Sequence, residues 1–243
     1  MKSILLAAIA ASAFTGAALA APVAGAGVAP AAGAYDPRDL AGVWTQATAP
    51  TFGPFPLTPA YDAILKQRIE DEKAGRPYVH AGNPCVPAPL VGMMVFPTGP
   101  LEFATVHDDR LVIAKSNGSI YRVYFNRPHP APEDVEPSMF GDSVGRWEGD
   151  TLVIDTIGLG GSGDIDGKTP HSDATHVVQR IRRVAFDKLE DRMTVEDPIA
   201  FTRPANSVVT YNLTPKIELA EFYCTNDRMR YDPDGKVSIA PPR

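Results

Sequence analysis

Beyond residue 100 the chain contains a series of apolar stretches, some rich in β-branched residues such as Leu152-Val153-Ile154 and Val208-Val209, which predict strands. Short polar connections separate these stretches. Asn117-Gly118 is the strongest hairpin signal, because both residues tolerate the positive φ of a type I′ turn. The pattern predicts strands near 42–44 and at 101–107, 110–116, 119–126, 144–147, 151–156, 174–185, 189–196, 207–213 and 217–224.

Nine or ten strands in sequence predict a mostly β fold, an antiparallel meander closed into a barrel or a strongly curled sheet. One helix is predicted before the barrel, at 58–74, where Thr58 can cap the first turn and Pro59 suits the first helical position. Gly75 and Pro77 end it. Its apolar face is formed by Tyr61, Ile64, Leu65 and Ile69.

The lengths of the connections predict where a ligand would bind. In a strict up-and-down trace, the long connections 127–143, 157–173 and 197–206 all fall at one end of the barrel, and nearly every tight turn falls at the other. Long loops on a rigid barrel are typical of a binding mouth. The hairpin 144–156 by itself requires that connections 127–143 and 157–173 leave side by side.

The N-terminus has the pattern of an export signal. Lys2 supplies a positive charge, residues 4–14 are mainly apolar but too few to span a bilayer, and Ala18-Leu19-Ala20 is a small-x-small cleavage site. We therefore predict a signal peptide at 1–20 and a periplasmic or extracellular protein. An uncleaved membrane anchor is the alternative.

The rest of the chain is predicted to form one domain. Residues 21–34 consist only of Ala, Gly, Val and Pro, which predicts a disordered leader. Residues 35–243 are then a single β-barrel-like domain. No later segment is apolar enough to span a membrane, so no stable membrane insertion is expected after cleavage. The sequence leaves the oligomeric state open.

The charge pattern argues against nucleic acid as a partner. The chain carries a formal net charge of −6 and has no block of Lys and Arg. Arg182-Arg183 lies within a strand pattern, which indicates a solvated strand face. An anionic membrane surface is disfavoured for the same reason.

Cys85 and Cys224 are the two cysteines, and in an exported protein they predict one disulfide. Such a bond closes a loop of about 140 residues and contributes up to roughly 4–5 kcal/mol in the chain-entropy model. A cysteine nucleophile or a metal-binding thiol is the alternative, but neither cysteine has a histidine or a second cysteine close by in sequence.

Polar residues that could carry chemistry collect at the predicted long-loop end. His171 and Asp173 share one side of a strand entry, and with His129 they are candidate acid and base groups for catalysis. His176 is expected to face away from them. The candidate ligand-binding residues are Asp142, Ser143, His107 and Asn226. The alternative is that the histidines only tie loops down by hydrogen bonds.

Metal and serine chemistry have weaker support. No His-x-x-x-His or Cys-x-x-Cys motif is present, so we predict neither a metal site nor a cofactor. The segment 141–145 has the form Gly-x-Ser-x-Gly, but a nucleophile elbow needs a strand before it and a helix after it. Here a Pro-rich loop precedes and a strand follows, which excludes an α/β-hydrolase. A serine nucleophile on another scaffold stays open.

The segment 141–156, Gly-Asp-Ser-Val-Gly-Arg-Trp-Glu-Gly-Asp-Thr-Leu-Val-Ile-Asp-Thr, resembles the signature of a large group of exported, uncharacterised bacterial proteins. The segments 40–44, 85–87, 127–130, 170–173, 197–198, 201–204 and 221–224 are also similar to that group. The resemblance implies export and a shared fold, and it implies no activity. The chain departs from the signature at Asp142, where the group often has His. Gly42-Val43-Trp44 also resembles the start of lipocalins, whose barrels hold small apolar ligands, but other lipocalin features are missing.

Three functions follow from these observations. The first is binding of a small, partly apolar molecule at the long-loop mouth of the barrel. The second is a hydrolase or lyase that uses the histidines and aspartates of the same mouth. The third is a structural or interaction module of the envelope. A roomy apolar interior favours binding, convergent His, Asp and Arg side chains favour catalysis, and a packed interior without a pocket favours the third.

Overall fold

The structure is a computed structural model, and it describes residues 35–76, 86–160, 164–220, 229–231, 233 and 237–239. These all belong to one compact unit, Gly33–Arg243. The predicted signal peptide and leader, both cysteines and Asn226 lie outside the described residues. The predictions made for them are therefore not tested by this structure.

Nine strands in chain order close into a barrel, which confirms the prediction of a mostly β barrel fold. Closure is made by β9 pairing with β1, with Leu213 opposite Trp44. The strands are β1 (Gly42–Gln46), β2 (Leu101–Val106), β3 (Arg110–Lys115), β4 (Ile120–Tyr124), β5 (Asp142–Glu148), β6 (Thr151–Ile157), β7 (His176–Ala185), β8 (Lys188–Glu196) and β9 (Ala205–Leu213). A separate two-stranded sheet contains β10 (Met229–Tyr231) and β11 (Val237–Ile239).

One strand pair departs from the predicted meander. β4 and β5 are parallel, and their single register pair is Tyr124 with Val144. The connection 125–141 therefore runs from one end of the barrel to the other, as a parallel pair requires. A trace that reverses direction at every connection becomes inverted after this point.

The parallel pair redefines the two ends of the barrel. We call the turn end the one with the connections 107–109, 149–150 and 186–187, and the loop end the one with 158–175 and 197–204. The predicted trace puts His107 and connection 157–173 at the same end, and this is wrong. They lie at opposite ends.

Two helices lie between β1 and β2. The predicted helix is confirmed as α1 (Pro59–Lys73), with Pro59 at its start and no buried residue in it. Thr58 occupies the cap position, but its hydroxyl donates to the carbonyl oxygen of Ile199 instead of capping the helix. α2 (Leu90–Val95) was not predicted, because a short apolar run without periodicity does not distinguish a helix from a strand. Residues 217–220 of the predicted last strand belong to no strand.

α2 packs across the loop end. All six of its residues are buried. The backbone N–H of Gly92 donates to the carbonyl oxygen of Ile165 at 3.1 Å, and the N–H of Leu90 donates to Met139 at 3.0 Å. The Lys115 ammonium donates to two carbonyl oxygens, of Met93 and Phe96, and burial lowers its pKa to about 8. α2 thus occupies much of the loop end, and beside it Val95 and Phe96 line a pocket of about 320 Å³ together with Asp166 and Thr169.

The barrel interior is filled by large inward-facing side chains, as the alternation along the strands requires. The largest of them are Trp44, Phe103, Tyr121, Tyr211, Leu111, Ile113, Leu152 and Ile154, all at 2% relative exposure or less. The Tyr211 hydroxyl donates to the carbonyl oxygen of Met94 at 2.6 Å, which ties the barrel wall to α2.

Candidate functional site

A cavity of about 760 Å³ opens at the turn end of the barrel. One part of its wall is apolar, and the other part is polar and mainly cationic. The apolar part includes Leu40, Leu111, Phe125, Trp147 and Leu152. The polar part includes Arg38, Arg127, Arg146, Asn126 and Asp108.

The cavity follows from the way in which β4 and β5 separate. The two strands meet at one register pair, and β5 then continues to Glu148 alongside β6. The chain after β4 turns away, with Asn126 at a φ of 59°. Gly145 allows β4 and β5 to approach each other closely, because a Cβ there would lie 2.7 Å from Phe125 and 2.8 Å from Val123. Beyond Gly145, toward the turn end, the two strands diverge and leave a gap between them.

Strand alternation decides which side chains face this gap. Trp147 lies opposite Leu152, and Thr105 lies opposite Leu111, so both pairs are on the inward face. Leu111 and Leu152 are buried and form the floor. Thr105 faces inward yet is exposed, which marks the open mouth of the cavity.

Each of the three arginines is held by an acceptor. Arg38 donates from Nε to the carbonyl oxygen of Gly149 at 2.9 Å, and its Cζ lies 5.6 Å from the centre of a Trp147 ring. Arg127 donates to both carboxylate oxygens of Asp142, and its Cζ lies 4.3 Å from the Tyr124 ring centre. Arg146 donates to one oxygen of Glu148 at 3.1 and 2.8 Å. A guanidinium has five N–H donors, so these contacts do not exhaust its capacity.

A second polar group lies on the outer face of the barrel, and we call it the outer-wall cluster: His129, Asp142, Asp155 and His176. His129 Nδ1 lies 2.7 Å from Asp142 Oδ1, and its Nε2 lies 3.0 Å from Asp155 Oδ1. His176 Nε2 lies 3.1 Å from the same Asp155 oxygen. Both nitrogens of His129 face carboxylates, so it donates to both only when both nitrogens carry protons.

The environment of Asp142 favours its charged form. Partial burial raises the pKa of this carboxyl, but hydrogen bonds from Arg127 and His129 outweigh burial and hold the pKa below its usual range. Asp142 thus stays an anion that fixes Arg127 beside the cavity.

The predicted pair of His171 and Asp173 is divided between two environments. His171 is buried, and its Nδ1 lies 2.9 Å from both the Ser172 carbonyl oxygen and Thr175 Oγ1. Asp197 accepts hydrogen bonds from Ser172 and Thr175 in the same loop. Asp173 is exposed and lines a groove of about 340 Å³ together with His176. His171 therefore has the geometry of a loop tie.

The other predicted site residues are also dispersed. Ser143 faces the interior, where its hydroxyl lies 2.8 Å from Thr156 Oγ1. His107 is exposed at the turn end, with a φ of 47°. The expected neighbourhood of connections 127–143 and 157–173 is confirmed, because the N–H of Ser138 donates to the carbonyl oxygen of Gly158 and the N–H of Gly160 donates to the carbonyl oxygen of Ser138.

Several residues were missed that the structure brings into these sites. They are Arg38, Arg127, Trp147, Asp155 and, as a partner of Asp155, His176. Asp155 interrupts an apolar run on the outward side of β6, which is a signal that could have identified it. No such signal exists for Arg38, because its position depends on how the chain enters β1.

A polar chain also crosses the barrel core. The Tyr121 hydroxyl lies 3.1 Å from Thr156 Oγ1 and donates to Gln179, and Gln179 donates to Asp191 Oδ2 at 2.9 Å. Asp191 Oδ1 is buried and has no hydrogen-bond partner among the described residues. Burial raises the pKa of Asp191 to about 7, although the bond from Gln179 opposes this shift. The chain is enclosed, so its effect falls on stability.

The described ranges contain neither a metal-binding cluster nor a membrane-spanning helix. No group of three or more His, Cys, Asp or Glu residues within them is arranged to hold a metal ion. No helix in the same ranges has both the length and the apolar character needed to cross a membrane.

Comparison with known proteins adds little. No family model and no curated protein matches the sequence. Among solved structures, two substituted forms of the fluorescent protein UnaG are similar, each at 12% identity, with coverage of 72% of this chain and 96% of that chain. The TM-scores are 0.36 and 0.33, and a likeness this remote carries no argument. The fold assignment rests on the strand pairing of the protein itself.

Proposed function

We propose that the protein binds a small, partly apolar molecule in the cavity at the turn end of the barrel. The observation that carries this proposal is an open cavity of about 760 Å³ with a buried apolar floor and a polar rim. Ligand pockets in proteins usually have volumes of about 300–1,000 Å³ and a few placed polar groups in a mainly apolar wall. At the loop end, where the connection lengths predict the mouth, α2 packs across the barrel and the pocket beside it has a smaller volume, about 320 Å³.

The test uses N-phenyl-1-naphthylamine, an uncharged dye that becomes fluorescent when it leaves water. We expect saturable binding to the purified protein. Thr105→Trp fills the cavity from its inward-facing position and should abolish the binding. Val106→Trp is the matched control, because Val106 is exposed on the opposite side of the same strand. Equal binding by the two variants, or no saturable binding to the unmodified protein, contradicts the proposal.

General acid–base catalysis by a hydrolase or lyase is a second candidate, and one observation favours it. His176 lines the groove of about 340 Å³ together with Asp173, and its Nε2 is held by Asp155. A carboxylate at hydrogen-bond distance fixes the tautomer of a histidine, as a general base requires. Hydrolysis of a panel of nitrophenyl esters should be lost in His176→Gln at an unchanged melting temperature. Unchanged turnover in this variant rejects the role.

We further propose that the protein acts in the periplasm or outside the cell. The charged start, the short apolar run and the Ala18-Leu19-Ala20 site support export. Mass spectrometry of the envelope and medium fractions should find a chain that begins at Ala21. A chain with its first twenty residues intact, recovered from the cytoplasmic fraction, would contradict export.

A further inference from the structure

We infer that the ligand of the turn-end cavity is an amphipathic anion, with an acidic group at the arginine-lined rim and an apolar body on the floor. This inference rests on the proposed function and narrows the class of ligand. The acidic group is a carboxylate, sulfonate or phosphate, since each presents oxygens to the fork of a guanidinium.

The charges around the rim carry the first step of the argument. Arg38, Arg127 and Arg146 line the cavity, and Asp108 is the carboxylate among its lining residues. The guanidinium of Arg38 lies beside the inward-facing Trp147 ring, whereas those of Arg127 and Arg146 extend toward carboxylates on the outer face. Arg127 is balanced by Asp142, with a shortest contact of 2.6 Å. Arg146 shares Glu148 with Arg180, so that carboxylate serves two cations. The rim therefore carries an excess of positive charge.

Arg38 is the clearest source of that excess. Its side chain donates to the carbonyl oxygen of Gly149, which is a neutral group. Within the part of the chain that the structure describes, its guanidinium forms no ion pair. The contact with Gly149 uses Nε and fixes the group beside the Trp147 ring, at 5.6 Å. Both terminal nitrogens remain for an oxyanion.

The burial of the wall residues determines the orientation of the ligand in the cavity. Leu152 is at 0% and Leu111 at 2% relative exposure, while Arg38 and Arg146 are exposed. The cavity thus becomes more apolar from its rim to its floor, with half-buried Trp147 between the two. An acid that enters with its apolar end first buries that end and leaves its charge beside the arginines. The opposite orientation would bury a charge against leucine side chains, which is costly.

The test compares two dyes that differ by one acidic group. 8-Anilino-1-naphthalenesulfonate is N-phenyl-1-naphthylamine with an added sulfonate, so the uncharged dye reports the apolar floor and the sulfonate reports the rim. We expect Arg38→Gln to lower the affinity for the sulfonated dye about tenfold, which is the effect of one lost hydrogen bond between charged groups. The uncharged dye should change by less than about twofold, within the range of ordinary surface substitutions.

Two further variants complete the design. Arg38→Lys keeps the charge without the fork and should retain part of the affinity for the sulfonated dye. Arg192→Gln is the control, because Arg192 is an exposed arginine bound to Glu190 on β8 and does not line the cavity. It should leave both dyes unchanged.

The possible results distinguish a failure of the anion inference from a failure of the proposed binding function. The anion inference is wrong if Arg38→Gln lowers the affinity for both dyes equally or for neither, or if its effect equals that of Arg192→Gln. The cavity remains a binding site in each of these cases. If neither dye binds the unmodified protein, the proposed function fails as well.

Discussion

Asp191 is a carboxyl group enclosed in the barrel core, and its titration should set the pH dependence of stability. It is at 1% relative exposure, and among the described residues its carboxylate accepts one hydrogen bond, from Gln179 at 2.9 Å. Burial raises its pKa to about 7, because the charged form loses its hydration. In the unfolded chain an aspartate has a pKa of about 3.9.

The sign and size of the effect follow from this difference. Between about pH 4 and pH 7 the folded protein holds a proton that the unfolded chain has lost, so stability falls as pH rises. The contribution is fully present below the unfolded pKa and is gone above the folded pKa. A difference of about 3 pKa units corresponds to about 4 kcal/mol, which is an upper value if the core relaxes around the charge.

The perturbation is Asp191→Asn, which keeps the shape and the acceptor for Gln179 and removes the titration. We expect the variant to lie within about 1 kcal/mol of the unmodified protein at pH 4.5. At pH 8.5 it should be more stable by about 2–4 kcal/mol.

Urea denaturation across this pH range measures the difference in the free energy of unfolding between the variant and the unmodified protein. Asp150→Asn, at an exposed turn, is the control. Parallel stability profiles for Asp191→Asn and the unmodified protein would refute the reasoning. A stability of the unmodified protein that rises between pH 4.5 and pH 7, and does so only when Asp191 is present, would refute it more directly.

Three other predictions concern the disulfide, the strand gap and the loop tie. Thiol titration of the unfolded, unreduced mature protein should detect no free thiol at Cys85 and Cys224, and two thiols would contradict the bond. Gly145→Ala should cost about 1–3 kcal/mol in urea denaturation, because its Cβ meets Phe125 at 2.7 Å, and an unchanged midpoint would contradict this packing. His171→Ala should cost about 1–3 kcal/mol and leave binding of the uncharged dye intact, whereas lost binding at unchanged stability would assign it to a site.

The strands were predictable because each is decided locally. Alternation locates them to within a few residues, and hairpins such as the one at 149–150 follow from turn residues at fixed offsets. The neighbourhood of connections 127–143 and 157–173 needed only the hairpin 144–156 to be right, since its two open ends must lie together. These inferences did not depend on the rest of the trace.

The direction of β5 relative to β4 was not predictable in the same way. No local pattern distinguishes a long connection that returns to the same end from one that crosses the barrel, and one crossing inverts every later assignment. The binding mouth is expected at the loop end because long connections lie there, whereas the cavity opens at the turn end. The environment of Arg38 and Trp147 depends on the same splayed pair, so it could not be inferred from spacing.

α2 was missed for a different reason. Its six residues are apolar on every side because every side is buried, so they have no amphipathic period. α2 strongly affects where a ligand can enter, because it packs across the end where the long connections lie.

The two tryptophans of the chain allow a direct measurement of where a ligand binds. Trp147 lines the cavity, whereas Trp44 is buried in the core with its indole N–H donating to the Leu40 carbonyl oxygen at 3.0 Å. In a nitrogen–proton correlation spectrum recorded while N-phenyl-1-naphthylamine is added, the indole signal of Trp147 should shift and saturate with the dye, and that of Trp44 should move much less. Trp147→Phe assigns the two signals. Saturable dye binding that leaves the Trp147 signal in place, and shifts Met93 and Met94 of α2 instead, would put the ligand at the loop end and contradict the account.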